Sequence, residues 1–111
     1  MKPVAYDNPG PITAPPTFTT ATLLANAEWV SAAFPVPGLT QINGSVVADQ
    51  PGTLYIEQSE DRVNWDISTY YEIIPNDGKG FHFKTLLTYM RVRYVNGAIP
   101  QNAFRLYFLF K

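Results

Sequence analysis

Phe104-Arg105-Leu106-Tyr107-Phe108-Leu109-Phe110 places a large apolar side chain at every even position, with Arg105, Tyr107 and Leu109 between them. A period of two puts Phe104, Leu106, Phe108 and Phe110 on one face of an extended strand, whereas a helix would scatter them around its axis. Four such side chains in register predict a strand deep in a sheet or across a subunit contact. The same alternation recurs upstream. In residues 89–95, Met90, Val92 and Tyr94 oppose Arg91 and Arg93, and in residues 80–86, Phe81 and Phe83 oppose His82 and Lys84. One face of each strand is therefore dry and the other wet.

Outward from these strands, runs rich in β-branched and aromatic residues alternate with Gly, Pro, Asn and Asp clusters about every ten residues, the rhythm of an all-β sandwich or barrel. About eight strands are expected, over residues 18–24, 28–34, 40–48, 53–59, 69–74, 80–86, 89–95 and 103–110. The fold class that follows is an antiparallel, jelly-roll-like β-sandwich. Asn76-Asp77-Gly78 is the clearest turn. Gly44 marks either a bulge in the third strand or, with Asn43, a hairpin that splits it. Residues 20–30 contain good helix formers, but the surrounding threonines leave room for a single helical turn at most.

Residues 1–17 form a separate arm ahead of the sandwich, residues 18–111. Pro3, Pro9, Pro11, Pro15 and Pro16 exclude helix and hold the segment extended. Such an arm has little entropy to lose on docking, and Val4, Tyr6 and Ile12, with Pro9 and Pro11 setting its course, are candidate contacts to a neighbour. A frayed terminus is the alternative.

The chain has 111 residues, enough for one domain, and its 46% hydrophobic content supplies a core without staples. With no cysteine, disulfides, thiolate metal sites and a cysteine nucleophile are excluded together. A net charge of −1 provides no field to draw the chain onto nucleic acid or an anionic membrane. No apolar run is long enough to span a bilayer, and the proline-studded N-terminus lacks the apolar stretch of an export signal.

The parts of an enzyme are mostly missing. His82 is the single histidine and belongs to the wet face of its strand, so no Ser-His-Asp relay is expected. Glu57, Glu60, Asp61 and Asp66 gather in and around one loop, without the spacing of an EF-hand. Ordinary loop polarity explains them; calcium binding and glycoside hydrolysis are the alternatives. No cofactor and no catalytic residue is expected. Trp65 closes that loop, where a tryptophan either covers the end of the core or meets a sugar or protein. Tyr70 and Tyr71 adjoin in one strand, so one of them faces outward.

Residues 52–66, GTLYIEQSEDRVNWD, together with residues 89–97, YMRVRYVNG, and then Phe104-Arg105-Leu106-Tyr107, resemble a small β-sandwich module that recurs in structural proteins of tailed bacteriophages. The resemblance covers residues 40–111. It departs from the module in one place: Asp61 is followed by Arg62 where Asp-Gly is usual. The resemblance implies a non-enzymatic virion part, and the short chain with its stiff arm points within that group to a capsid decoration or cement protein. Its partner would then be the major capsid protein or another virion protein, bound as a homo-oligomer, a trimer by analogy. Neither nucleic acid nor membrane is implied. The alternative is a carbohydrate-binding sandwich of a tail or fibre, holding host glycans through Trp65 and Tyr70.

Overall fold

The computed structural model describes residues 17–111, with side chains from Phe18 onward. These residues form nine strands and no helix: β1 (Thr17–Thr19), β2 (Glu28–Val30), β3 (Phe34–Pro35), β4 (Gln41–Ala48), β5 (Gly52–Ser59), β6 (Ile67–Ile73), β7 (Lys79–Lys84), β8 (Tyr89–Asn96) and β9 (Phe104–Phe110). They make two antiparallel sheets, ordered β1-β9-β4-β7 and β2-β8-β5-β6, with β3 pairing β8 beyond the end of β2. Apart from the β5–β6 hairpin and the β2–β3 pair, successive strands alternate between sheets, the wrapping of a jelly-roll-like sandwich.

The core lies between the inward faces that alternation identifies. Phe104, Leu106, Phe108 and Phe110 are all buried, as are Met90, Val92, Tyr94 and Phe81, while Phe83 is partly buried against them. β9 is an internal strand, paired with β1 on one side and β4 on the other. Phe108 is its centre, with the rings of Trp29, Phe34 and Phe110 at 6.3, 6.0 and 6.0 Å. These pairings are edge-on, the arrangement that the ring quadrupole favours.

The expected strand over residues 28–34 is two strands. Val30 pairs with Arg93, yet Phe34 pairs with Met90, so one extra residue is accommodated between them. Ser31 is the cause: its backbone N–H donates to the Val92 carbonyl, while the Val92 N–H donates to the Ser31 hydroxyl instead of to a carbonyl. The resulting bulge shifts the alternation by one, and it turns the Phe34 ring inward to sit 5.3 Å from Phe110.

Gly44 is not a hairpin. β4 runs unbroken through it, because Phe81 of β7 packs into the space a side chain would take. Residues 20–30 contain no helix: ahead of β2 there is a turn closed by the Ala27 N–H donating to the Leu24 carbonyl at 3.1 Å, with Asn26 at φ 61°. The β6–β7 connection turns on Pro75-Asn76, one residue before the expected centre: the Asp77 N–H donates to the Ile74 carbonyl at 3.2 Å and Asn76 has φ 63°. Pro followed by a residue of positive φ is the type II layout, and Pro37-Gly38 repeats it with Gly38 at φ 83°.

Candidate functional site

The outer face of the β2-β8-β5-β6 sheet carries a continuous strip of aromatic rings and guanidinium groups. Its frame is the strand register, in which Tyr55 lies opposite Arg93 on β8 and Tyr70 on β6, and Glu57 lies opposite Arg91 and Ser68. All of these point away from the core, since they alternate with the inward Leu54, Ile56 and Val92.

Glu57 holds the centre. Its Oε1 accepts from Arg91 Nε at 2.8 Å and Arg93 Nε at 3.3 Å, and its Oε2 accepts from Arg93 Nη2 and Ser68 Oγ, both at 3.1 Å. Each guanidinium in turn covers a ring: Arg91 Cζ lies 4.1 Å from the centroid of Trp65, and Arg93 Cζ lies 4.0 Å from that of Tyr55. Tyr70 continues the strip, 6.0 Å from Tyr55 and 60% exposed, and Arg62 over Tyr89 at 5.0 Å extends it at the other end. Fixed cations stacked on rings lose little side-chain freedom on meeting a partner.

The loop from Ser59 to Asp66 is shaped by its own side chains. The Asp61 carboxylate accepts the backbone N–H groups of Asn64 and Val63, then the Asn64 amide and the Ser59 hydroxyl, and these bonds hold its carboxyl well below the usual carboxylate range. Arg62 takes φ 65°, so the chain turns here in the left-handed conformation without the glycine usual in the module. The Ser59 hydroxyl accepts the Arg62 N–H at 2.8 Å and fixes that turn. Trp65 thereby emerges over β8.

Several expectations are placed by this geometry. Trp65 does not cover the end of the core; it is half-buried on the outer face, against Arg91. Tyr70 is the outward member of its pair, while Tyr71 packs against the core. Val4, Tyr6, Pro9, Pro11 and Ile12 lie outside the described residues. His82 is exposed opposite Asn43 on the other sheet. The acidic residues do not converge: Glu57 serves the two arginines, Glu60 accepts from Thr88, Asp61 holds its loop and Asp66 is exposed. Among the described residues no group of three or more His, Asp or Glu could hold a metal ion. The Glu57–Arg91–Arg93 cluster was not read from sequence as a unit, although opposite charges at outward positions of Val92- and Ile56-flanked strands were the available signal.

A family profile described as the uncharacterised protein YqxG N-terminal domain matches residues 11–111. The chain belongs to this family. A crystal structure of the PBSX exported protein XepA superposes with a TM-score of 0.79 at 25% identity, covering 90% of this chain and 39% of that one. The chain thus spans about two fifths of that protein's length. A second solved structure, from Bacillus endospore appendages that form disulfide-linked pili, has a TM-score of 0.55 at 11% identity over 96% of each chain, and shares the fold. No curated protein matches.

The cluster has a pH signature. Burial of Glu57 works to raise its carboxyl, but hydrogen bonds from Arg93 and Arg91 outweigh it and leave the group below its ordinary 4.5. A depressed carboxyl contributes stability that is present above the unfolded value and is lost as pH falls through the folded one. Glu57→Gln is expected to cost about 1–2 kcal/mol at pH 7, and to flatten the loss of stability below pH 4.5. Denaturant titrations at several pH values check this, and an equally steep acid limb in the variant refutes it.

Proposed function

We propose that the chain is a non-enzymatic structural protein of a phage virion, a head decoration protein that attaches to the shell through its N-terminal arm and the surface of the sandwich. The observation that carries this reading is the strip of Trp65, Tyr55, Tyr70, Tyr89, Arg62, Arg91 and Arg93 on one open sheet face. Trp, Tyr and Arg are the residue types that dominate protein–protein contact energies, and here they lie together on the outer face of one sheet. Membership of the family and likeness to the phage-related PBSX exported protein fit a phage structural protein and support an extracellular or virion-associated location. A glycan-binding role draws less support, because a guanidinium already covers one face of both Trp65 and Tyr55.

Gold-labelled antibody on purified virions is expected to decorate heads. Removing residues 1–16 is expected to weaken binding to undecorated shells at least tenfold while leaving Tm nearly unchanged. Label confined to the tail, or a truncated chain that binds as tightly as the full one, refutes the reading. Retention on host glycan together with tail label would favour attachment instead.

A further inference from the structure

Three glycines of the chain follow an amide or carboxyl side chain, in Asn43-Gly44, Asp77-Gly78 and Asn96-Gly97. Such a pair can close a five-membered succinimide, because glycine has no Cβ to hinder attack by its own nitrogen. In a free peptide an asparagine amide reacts this way faster than an aspartate carboxyl, so local sequence ranks the two Asn-Gly pairs ahead of Asp77-Gly78. The fold reverses that order.

Ring closure brings the side-chain Cγ onto the next nitrogen, and the Asn or Asp must leave the extended backbone of a strand to do it. Gly44 lies in β4, opposite Phe81 of β7 on one side and Phe108 of β9 on the other, so Asn43 can turn only when paired ladders open. Asn96 is 2% exposed, and its Nδ2 donates to the carbonyls of Leu23, Leu24 and Ile99 at 3.2, 3.0 and 2.9 Å. Its nucleophile is tied as well: the Gly97 N–H donates to the Pro51 carbonyl at 3.0 Å. Asp77 and Gly78 are both exposed, in the connection that carries the chain from β6 of one sheet to β7 of the other. Hydrogen bonds fix the turn just upstream, from the Asn76 N–H to the Ala48 carbonyl at 2.7 Å and from the Asp77 N–H to the Ile74 carbonyl at 3.2 Å. Among the described residues nothing accepts the Gly78 N–H, and a Cβ built on Gly78 would meet no atom within 4 Å. The rotation about the Asp77 Cα–C bond that the reaction needs therefore breaks none of these bonds.

We propose that Asp77-Gly78 is a site of spontaneous covalent modification, where the folded domain acquires an isoaspartyl linkage with age, while both Asn-Gly pairs are silenced by the strands that hold them. The Gly78 nitrogen bonds to the Asp77 Cγ as the carboxyl hydroxyl departs with the amide proton as water. Water then adds to the ring at the main-chain carbonyl carbon of Asp77, the bond from that carbon to the Gly78 nitrogen breaks, and the nitrogen recovers its proton. The backbone now runs through Cβ and Cγ, one methylene longer, and the carboxylate sits on Cα. Composition and charge are unchanged. The tether between the two sheets is lengthened, with open space around Gly78 to receive it.

Ageing the full folded chain in neutral buffer at physiological temperature tests this, with isoaspartate located by peptide mapping and counted by methylation with protein isoaspartyl methyltransferase. In the folded chain isoaspartate is expected at Asp77 first. Asn43 and Asn96 are expected to react at least about tenfold slower than in the same chain unfolded in urea, a factor that needs only about 1.4 kcal/mol of protection against local opening. In urea the order inverts and the two Asn-Gly pairs lead. Asp77→Glu keeps the charge but would need a six-membered ring, so it is expected to lose the modification entirely while melting near the wild type, because the position is exposed. Gly78→Val, whose branched side chain shields the nitrogen and enters open space, is expected to lose most of it. Modification of Asn43 or Asn96 ahead of Asp77 in the folded chain overturns the proposal. So does a folded chain that ages without isoaspartate at Asp77 while the unfolded chain gains it.

Discussion

Phe108→Ala is expected to lower the unfolding free energy by about 3–5 kcal/mol. Phe108 is 1% exposed, and its ring is met from both sheets, by Trp29 and Phe34 across the sandwich and by Phe110 along its own strand. The substitution removes the transfer energy of a whole ring and leaves a void walled by rings from three strands, so collapse around it is limited. For a domain of this size the fall in Tm is roughly 12–30 °C. Tyr107→Ala, one position along on the outer face, is expected to cost less than about 1.5 kcal/mol. Paired denaturant melts decide the matter, because a costlier Tyr107 would mean that the strand presents its other face to the core.

Gly44→Ala is the second large effect, expected at about 3 kcal/mol although it adds a single methyl group. A Cβ at this position would lie 2.3 Å from Phe81 Cζ and 2.4 Å from the Tyr107 carbonyl oxygen. The ring can swing aside at the expense of core packing, but the carbonyl is backbone of β9, and moving it strains the β4–β9 ladder that frames the first sheet. Gly38→Ala is the control. Nothing lies within 4 Å of its added carbon and only its φ of 83° is disfavoured, so the expected cost is about 1 kcal/mol. Equal losses at the two sites would show that conformational freedom, and not space, explains both glycines.

The inner faces of β8 and β9 were legible because most of their intervening residues, Arg91, Arg93, Arg105 and Tyr107 among them, carry polar groups, so the period of two survives in the sequence. The edge at residues 28–34 was not legible, since its bulge depends on Ser31 reaching Val92, a partner 61 residues away. Asn43-Gly44 had the composition of a hairpin, and only the arrival of Phe81 from β7 explains why the strand continues. Trp65 was misplaced for a related reason. Its position follows from the left-handed turn at Arg62, a conformation that local propensity assigns to glycine. The arginine strip was half visible: the outward parity of Arg91 and Arg93 is local information, but their shared counter-ion sits 34 and 36 residues earlier in the chain.

The position of β9 bears on how the chain is made. β4 ends at Ala48, whereas the strand that covers one of its edges begins at Phe104, and β1 has no partner until the same moment. At the usual synthesis rate of about 5–20 residues per second, roughly 3–11 s separate the emergence of β4 from that of its neighbour. The second sheet needs no such wait beyond β8 and can form while β4 still offers an unpaired edge. On a crowded polysome, that interval is when neighbouring nascent chains could pair with each other, and the slow arrival of residues 104–110 makes chaperone cover during translation the natural determinant of yield.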